Sequence, residues 1–322
     1  MLLSLDSIKQ YLPARLFAGA KGATEKPLLS ENAILDLQHR VQSIHQPAVH
    51  SRDVAHAMYG DARSIYRGYG MDYEESRLYQ PGDDLRFMNW RMSARTGRKY
   101  MKVFREERKP GVFILIDRRS AMRFGSQTRL KATQAVRAAA IVAFNAQKHG
   151  AAIEGVIIDQ GLEWLVNMTG ATGAYTLLEQ ARRPCPPVHH RHEEVAMGNI
   201  LRLLLEILTP GSRLYLISDF IDLSNNDSAS LMELAERHHL NVVHVFDPLE
   251  KNLPNIGNIR LHSADSRIGV AFDSGSKMSR GEYQKISHQH FSFRRGLFVS
   301  LGIPYVQLST EEEQLESVIP LF

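Results

Sequence analysis

After residue 109, segments with a continuous apolar run alternate along the chain with segments whose apolar residues recur at helical spacing. The continuous apolar runs GVFILID and RLYLISDF each end at or beside an aspartate, which is typical of strands covered on both faces. Between such runs, apolar residues recur at helical spacing, as in the segment containing Leu130, Val136, Ala140 and Phe144. This alternation predicts an α/β fold with a doubly wound, mainly parallel sheet.

The tail, from roughly residue 248 to residue 322, keeps the same alternation. RIGVAFD and IPYVQLS predict strands, and the segment SRGEYQKISHQHFSFRRGLFVSLG between them predicts a long helix. TEEEQLESVI predicts a last helix, in which Thr310 is the N-cap and Glu313 completes a capping box. We therefore expect the tail to extend the sheet and not to form a domain of its own.

The chain before residue 109 follows a different pattern. Residues 1–54 predict a helical arm, because Ile34, Leu37 and Val41 recur at helical spacing. Residues 55–108 mix arginine, acidic and aromatic residues and predict a smaller module of mixed α+β structure. Residues 109–322 then form the predicted α/β domain with its C-terminal extension.

Composition and charge narrow the class of protein. A chain of 322 residues with 43% hydrophobic and 23% charged residues is typical of a globular protein. Its net charge of +4 is too small to indicate nucleic-acid binding by itself. The single cysteine, Cys185, precludes an intrachain disulfide, and no apolar run approaches the roughly 20 residues that span a bilayer. We expect a cytoplasmic location and no membrane insertion.

Aspartates mark the ends of four predicted strands, namely Asp117, Asp159, Asp219 and Asp247. Ligands of open parallel sheets lie beyond the carboxyl ends of the strands, where the strand order reverses. In the usual doubly wound order, Asp117 and Asp219 meet at that point and could hold a divalent cation. The alternative is that these acids cap helices or pair with nearby arginines.

The motif ILIDRRSAM, followed by a helix and later by LYLISDF, resembles a von Willebrand factor A domain. That family's metal-ion-dependent adhesion site uses an Asp-x-Ser-x-Ser loop, a threonine and a further aspartate. The resemblance implies Asp117, Thr172 (or Thr169) and Asp219 as metal ligands.

The adhesion-site loop departs from that pattern, because Arg119 and Ala121 stand at the two serine positions. We expect a degenerate site in which Arg119 replaces the cation and forms an ion pair with Asp117 or Asp219. No cofactor is therefore expected, and binding of a cation such as Mg²⁺ is disfavoured.

The segment that precedes the predicted strand GVFILID resembles one particular protein family. ESR at Glu75–Arg77, followed by YQPGDDLRFMNWRMSARTGRKYMKVFREE, resembles the bacterial "domain of unknown function" family fifty-eight, which places this segment directly before an A-like domain. The resemblance implies a non-enzymatic interaction factor. Its expected role is that of an adaptor or assembly partner of a MoxR-type AAA+ ATPase, together with other A-domain proteins.

The arginine- and aromatic-rich module is the predicted docking surface, since arginine and large aromatic residues are favoured at interfaces. The candidate binding residues are Arg77, Tyr79, Asp83, Asp84, Arg86, Trp90, Arg91 and Arg95. Asp84 also suits the N-cap of a helix over LRFMNWRMSAR. Alternatively, the charges pair with one another and Trp90 lies in the core. The interspersed acids argue against nucleic acid as the partner.

Motifs of catalysis are absent from the sequence. No phosphate-binding GxxxxGK[ST] loop, no GxSxG elbow and no GxGxxG after a strand occurs. We expect no enzymatic activity. The competing hypotheses are a metal-dependent hydrolase or nuclease at Asp117 and Asp219, and a nucleic-acid-binding protein.

Overall fold

The computed structural model describes residues 26–43, 72–81, 84, 88–105, 111–185, 194–261 and 270–321. The chain divides into two compact units. One consists of Met1–Ile44 with Pro110–Phe322, and the other of His45–Lys109. The predicted residues Asp83 and Arg86 lie outside the described ranges.

Between residues 112 and 246, the helices and strands follow each other in the order that the sequence pattern indicated. The helices are α1 (Glu31–Ser43), α2 (Trp90–Thr96), α3 (Lys131–Lys148), α4 (Gly173–Ala181), α5 (Met197–Ile207), α6 (Ser228–Arg237), α7 (Pro248–Lys251) and α8 (Lys277–Ser300). The strands are β1 (Asp72–Leu78), β2 (Tyr100–Arg105), β3 (Val112–Asp117), β4 (Ile153–Ile158), β5 (Leu162–Met168), β6 (Arg213–Ser218), β7 (His239–Phe246), β8 (Asn258–Leu261), β9 (Val270–Asp273) and β10 (Tyr305–Ser309).

The large unit is built on a six-stranded sheet with the order β10-β7-β6-β3-β4-β5. Every neighbouring pair is parallel except β4 with β5, so β5 is an antiparallel edge strand. The predicted α/β fold with a mainly parallel sheet is confirmed. Because β3 and β6 are neighbours, the strand order reverses between them, which is the point where a crevice opens in such sheets.

Helices cover both faces of this sheet, because alternate side chains of each strand point in opposite directions. Ile114 and Ile116 of β3 belong to the apolar cluster beneath α1, α3 and α4. Phe113 and Leu115 belong to the cluster beneath α5, α6 and the end of α8. Among the described residues, no helix is both long and apolar enough to cross a bilayer.

Helix α1 shares the core of the large unit. Its residues Ile34, Leu37 and Val41 are buried at the spacing that the sequence indicated. The ammonium group of Lys148 donates to the Val41 carbonyl oxygen at 3.2 Å and fixes the end of α1. The segment that we predicted as a helical arm therefore contributes one helix to the packing of the α/β unit.

The tail matches the prediction in part. Strand β10 extends the sheet beside β7, as expected. Strand β9 instead pairs with β8 in a separate two-stranded hairpin. The last helix predicted over TEEEQLESVI is wrong, since only a 3₁₀ segment at Glu316–Leu321 forms there.

Tertiary contacts explain why that helix does not form. The Thr310 hydroxyl, expected to cap the helix, donates to the Asp247 carboxylate at 2.9 Å. Arg137 of α3 donates to the Glu313 carbonyl oxygen at 2.8 Å and to its carboxylate at 3.2 Å. Asp247, which follows β7, and Arg137 of α3 therefore bind the two capping residues and one backbone acceptor, and these tertiary contacts outweigh the local preference for a helix.

His244 of β7 predicts a pH dependence of stability. Its ring is buried, stacks on Phe291 and bonds to the Tyr305 hydroxyl. Burial holds the pKa of His244 well below 6.5, and the nearby charge of Arg294 lowers it further. The unfolded chain takes up this proton below about pH 6.5 while the folded protein does not. The free energy of unfolding should therefore fall with decreasing pH, by up to about 1.4 kcal/mol per pH unit from this histidine.

Urea denaturation between pH 5 and pH 8 measures this effect. His244→Phe should flatten the pH dependence, while His239→Asn, at an exposed neighbouring position, should leave it unchanged. A pH dependence that is the same in wild type and His244→Phe would assign the proton uptake to other groups.

Candidate functional site

All four strand-end aspartates lie at the carboxyl edge of the sheet, as the sequence indicated. Asp117 ends β3, and Asp159, Asp219 and Asp247 directly follow β4, β6 and β7. Asp117, Asp219 and Asp247 are buried, and Asp159 is half-buried. Buried carboxylates need a cation or several hydrogen-bond donors, so their partners decide what this edge can do.

Asp117 is bound by the arginine that follows it two positions later. The Nη2 atom of Arg119 lies 2.8 Å from Asp117 Oδ2, and its Nη1 atom lies 2.6 Å from Asp222 Oδ2. The Ser218 hydroxyl donates to Asp117 Oδ2 at 2.6 Å, and the Arg119 amide donates to Oδ1 at 2.9 Å. Arg119 is thus clamped between two carboxylates, and both oxygens of Asp117 are occupied.

The charge on Arg119 is fixed by this arrangement. Burial alone would lower the pKa of the guanidinium, but the charges and hydrogen bonds of Asp117 and Asp222 raise it. The predicted ion pair of Arg119 with Asp117 is present. The other expected partner, Asp219, does not bind Arg119 and has a cation of its own.

That cation is Lys131, the first residue of α3. Its ammonium group is completely buried and lies 2.7 Å from Asp219 Oδ2 and 2.5 Å from Glu250 Oε1. Burial alone would raise the pKa of Asp219, but the charge and hydrogen bond of Lys131 lower it to about 2. Burial keeps the pKa of Glu250 raised despite the same lysine. One lysine is therefore shared between the buried Asp219 and the half-buried Glu250 at the crevice.

Sequence reasoning missed Lys131, although the sequence contained a signal for it. Lys131 lies on the same helical face as Ala135, Ala138 and Val142, which are all buried. A lysine on an otherwise apolar helix face is expected to have a buried carboxylate as its partner.

Asp159 is held by two arginines of the loop that follows β3. Arg118 lies 3.1 Å from Asp159 Oδ2, and Arg123 binds the other oxygen. Arg118 also donates to the Ala181 carbonyl oxygen, at the end of α4, at 2.8 Å. Asp159 therefore anchors the arginines that tie this loop to α4.

Asp247 takes the helix-capping role that we left open as an alternative. It accepts from the Leu249 amide at 3.0 Å at the start of α7, and from the Ser126 amide at 2.9 Å. With the Thr310 hydroxyl as a third donor, the Asp247 carboxylate is satisfied without a cation. The four strand-end acids therefore divide between ion pairs and a cap.

The assignment of Thr172 to the site is wrong, because Thr172 lies where the parallel strands begin, and the site lies where they end. Thr172 follows β5, and the antiparallel pairing sets Met168, at the end of β5, beside Ile153, at the start of β4. The length of β3 then separates Thr172 and Thr169 from Asp117 by roughly 16 Å along the strand direction.

Glu194 contacts the loop that follows β3. It accepts from the Ser120 amide at 2.7 Å and from the Ser120 hydroxyl at 2.9 Å. Burial raises the pKa of Glu194, although the hydrogen bonds from Ser120 lower it in part. Ser120, one position out of register with the adhesion-site pattern, is thus used to hold the segment before α5.

The residues present at this edge do not fit a divalent cation. Ala121 offers no ligand atom, and the oxygens of Asp117 and Asp219 face Arg119 and Lys131. A cation that bound both carboxylates would have to displace Arg119 from Asp117 and Lys131 from Asp219. Across the residues that the structure describes, no three His, Cys, Asp or Glu side chains are grouped so as to hold a metal ion.

The second candidate site, in the small unit, consists of the β1–β2 hairpin and α2. Helix α2 begins at Trp90, and its N-cap is Asn89, not Asp84 as predicted. Trp90 is 68% exposed, so the alternative that placed it in the core is wrong. Arg77, Asp84, Arg91 and Arg95 are also exposed, whereas Tyr79 is half-buried beneath the Lys99 ammonium.

Comparisons with known proteins bear on both sites. A family model described as "Protein of unknown function DUF58" matches residues 75–292, from β1 through most of α8. The chain belongs to the DUF58 family. The match includes α2, most of β1 and all four strand-end aspartates, so the main residues of both candidate sites of this DUF58 protein lie within the family's common region.

Relatives of this DUF58 protein include the uncharacterized proteins Rv1480 of Mycobacterium tuberculosis and Mb1516 of Mycobacterium bovis. Each is 27% identical over 268 residues, which cover 81% of this chain and 82% of the relative. Two solved structures also align with this chain. BatB from Bacteroides thetaiotaomicron has 10% identity, a TM-score of 0.40 and coverage of 66% of this chain and 96% of that chain. An aerotolerance-related membrane protein from Bacteroides fragilis has 11% identity, a TM-score of 0.40 and coverage of 66% and 94%.

Proposed function

We propose that this DUF58 protein is a non-enzymatic interaction factor, an adaptor or assembly partner of a MoxR-type AAA+ ATPase in the cytoplasm. The proposal rests on the ion pairs at the carboxyl edge, where basic residues of the chain itself bind the aspartates. Asp117 is bound by Arg119, and Asp219 is bound by Lys131. Because both are paired, neither Asp117 nor Asp219 is available as a general base or a metal ligand, and this suits a structural role better than a catalytic one.

The large unit is, in this proposal, a von Willebrand factor A-like domain with a degenerate adhesion site. Several features support the assignment: the mainly parallel sheet, the antiparallel edge strand β5, and aspartates at the ends of β3 and β6. Arg119 occupies the place of a ligand in the loop after β3 and supplies, from within the chain, the positive charge that a cation would supply. The site then stabilises the domain without metal.

The AAA+ partnership is tested by affinity purification of the full-length protein from its native cells. We expect a MoxR-type AAA+ ATPase to be recovered in stoichiometric amounts, and recovery should depend on the nucleotide state of the ATPase. Recovery of the protein alone, with ATP, ADP or a non-hydrolysable analogue present, would contradict the proposal.

A metal-dependent hydrolase or nuclease at Asp117 and Asp219 is the competing function. Calorimetric titration with Mg²⁺ and Mn²⁺, together with a generic phosphodiesterase assay, separates the two. We expect no saturable binding in the micromolar range, because Arg119 and Lys131 oppose a cation. Micromolar binding that Asp219→Ala abolishes would favour the competing function.

A further inference from the structure

The exposed face of α2 and the residues that follow it form a surface with a distinct composition. We define the α2 surface by Trp90, Arg91, Arg95 and Arg98, which are all exposed. Arg91 and Arg95 are four residues apart on the helix and therefore neighbours on one face, with Trp90 beside them. Tryptophan and arginine are the residues that most often dominate the binding energy of protein interfaces.

Between Asp84 and Glu106, all the charged residues are basic. Residues 88–105 contain six basic residues and no acidic one; they are Arg91, Arg95, Arg98, Lys99, Lys102 and Arg105. Within the described ranges, the side chains of Arg91, Arg95 and Arg98 form no hydrogen bond or ion pair. Three guanidinium groups of the α2 surface are therefore free to bind carboxylates.

The backbone under this surface is held in place by specific contacts. A helix of seven residues is too short to be stable alone, so α2 depends on its caps and its neighbours. The Asn89 side chain accepts from the Met92 amide at 3.1 Å and donates to the Ser76 hydroxyl at 2.9 Å. Ser93 accepts from the Tyr100 amide at 2.9 Å, which fixes the inner face of α2 on β2.

Gly97 completes this anchoring at the end of the helix. It adopts a left-handed conformation with φ of 71° and donates its amide to the Ser93 carbonyl oxygen. The outer face of α2 is thus presented by a fixed backbone, so a partner would lose little free energy in ordering it.

We infer that the α2 surface binds an acidic segment of a partner protein, with an aromatic or large apolar residue of that segment packed on Trp90. The carboxylates of the segment pair with Arg91, Arg95 and Arg98. The inference rests on the proposed function, for which it supplies the chemistry of the partner's contact region.

Observations on the hairpin favour an acidic protein segment over nucleic acid. Strand β1 carries Asp72, Glu74 and Glu75 beside β2, and Asp72 lies opposite Arg105. Asp84 is exposed. A phosphate backbone carries a charge at every nucleotide and would be repelled by an acid such as Asp84, while a short acidic segment can confine its charges to the α2 surface. Single-stranded nucleic acid also favours several aromatic platforms in succession, and this surface offers one.

The test uses the fluorescence of Trp90 in the full-length protein. The chain has two tryptophans, and Trp164→Phe leaves Trp90 as the only one, which excitation at the long-wavelength edge of tryptophan absorption selects over tyrosine. The probe is a peptide of alternating Asp and Glu with a central Phe. Two control peptides have Lys for every acid or Ser for the Phe. Binding of the acidic peptide should shift the emission of Trp90 to shorter wavelength, because its ring leaves water.

Anisotropy of the same peptides carrying a label then measures affinity in each variant. Trp90→Ala should weaken binding by roughly 30-fold or more, as expected for a hot-spot residue. Arg91→Glu with Arg95→Glu should weaken it by at least about 10-fold. The matched control, Lys285→Glu with Arg295→Glu at exposed positions of α8, should change it less than about twofold. Raising NaCl from about 0.05 to 0.5 M should weaken binding in the wild type.

Three outcomes would overturn the inference. They are no saturable binding of the acidic peptide up to about 1 mM, equal binding by Trp90→Ala and wild type, or tighter binding of single-stranded RNA than of the acidic peptide. The result is separable from the test of the proposed function. If an AAA+ ATPase co-purifies equally with wild type and with the Arg91/Arg95 double variant, only the inference about the α2 surface fails. If the acidic peptide binds as expected but no ATPase is recovered, only the proposed partner fails.

Discussion

Lys131→Met is expected to lower the free energy of unfolding by about 3–5 kcal/mol. The substitution removes the cation that neutralises Asp219 and Glu250 and leaves both acids without it in a buried site. Methionine fills a similar volume, so the loss reports charge and not a cavity. Urea denaturation at pH 7 measures the change.

The pH dependence of the variant distinguishes a charge effect from a packing effect. Without Lys131, burial should raise the folded-state pKa of both acids above the unfolded values of about 4. As the pH rises, the unfolded state then releases these protons at a lower pH than the folded state does. The stability lost relative to the wild type should therefore grow above about pH 4 and shrink in acid. A triple variant with Asp219→Asn and Glu250→Gln should recover at least about half of the loss at pH 7, because none of the three groups then carries a charge.

Lys277→Met is the matched control, since Lys277 is also the first residue of a helix but is exposed. It should change the free energy of unfolding by less than about 0.5 kcal/mol. A loss below about 1 kcal/mol in Lys131→Met, or a loss independent of pH, would contradict the role assigned to Lys131.

Arg119→Met is the second large effect, also about 3–5 kcal/mol. Arg119 is the ion-pair partner of the fully buried Asp117 and also binds Asp222, which is partly exposed. Asp117 is left with the Ser218 hydroxyl and one backbone donor, which do not neutralise its charge. Thermal and urea denaturation at pH 7 should show the loss with little change in secondary structure.

Adding Asp117→Asn to Arg119→Met should restore a large part of the lost stability, because the pair is then removed together. The surface control is Arg183→Met, which breaks an exposed ion pair with Glu163 at 3.4 Å and should cost less than about 0.5 kcal/mol. If the double variant is less stable than Arg119→Met alone, Asp117 has a stabilising partner other than Arg119.

The strand ends were predictable because each buried apolar run stops at or beside an acid, and parallel strands bring those acids to one edge. The direction of a strand is not contained in its apolar pattern. LEWLV therefore predicted β5 but not its antiparallel pairing, and Thr172 was assigned to the wrong edge. The PGDD turn likewise suggested Asp84 as a helix cap, whereas the pairing of β2 with the segment around Asn89 sets the start of α2 five residues later.

The partners of the acids were harder to predict than their positions. Arg119 was accessible to sequence reasoning because it lies two residues from Asp117 and replaces a serine of a known pattern. Asp222 reaches the site from the loop after β6, where the Met197 amide of α5 binds it, and Glu250 reaches it from α7, which Ser287 of α8 contacts. The tail helix failed for a related reason, since α3 and β7 bind the residues that would have capped it.

The buried charges at the crevice have a consequence for the order in which the protein can mature on the ribosome. Lys131 is synthesised 88 residues before Asp219 and 119 residues before Glu250. Arg119 likewise precedes Asp222 by 103 residues. A nascent chain that carries β3 and α3 alone holds two cations whose distant partners do not yet exist, and burying them would be unfavourable. Docking of α3 on the sheet at this edge is therefore coupled to the emergence of β6 and α7, late in translation.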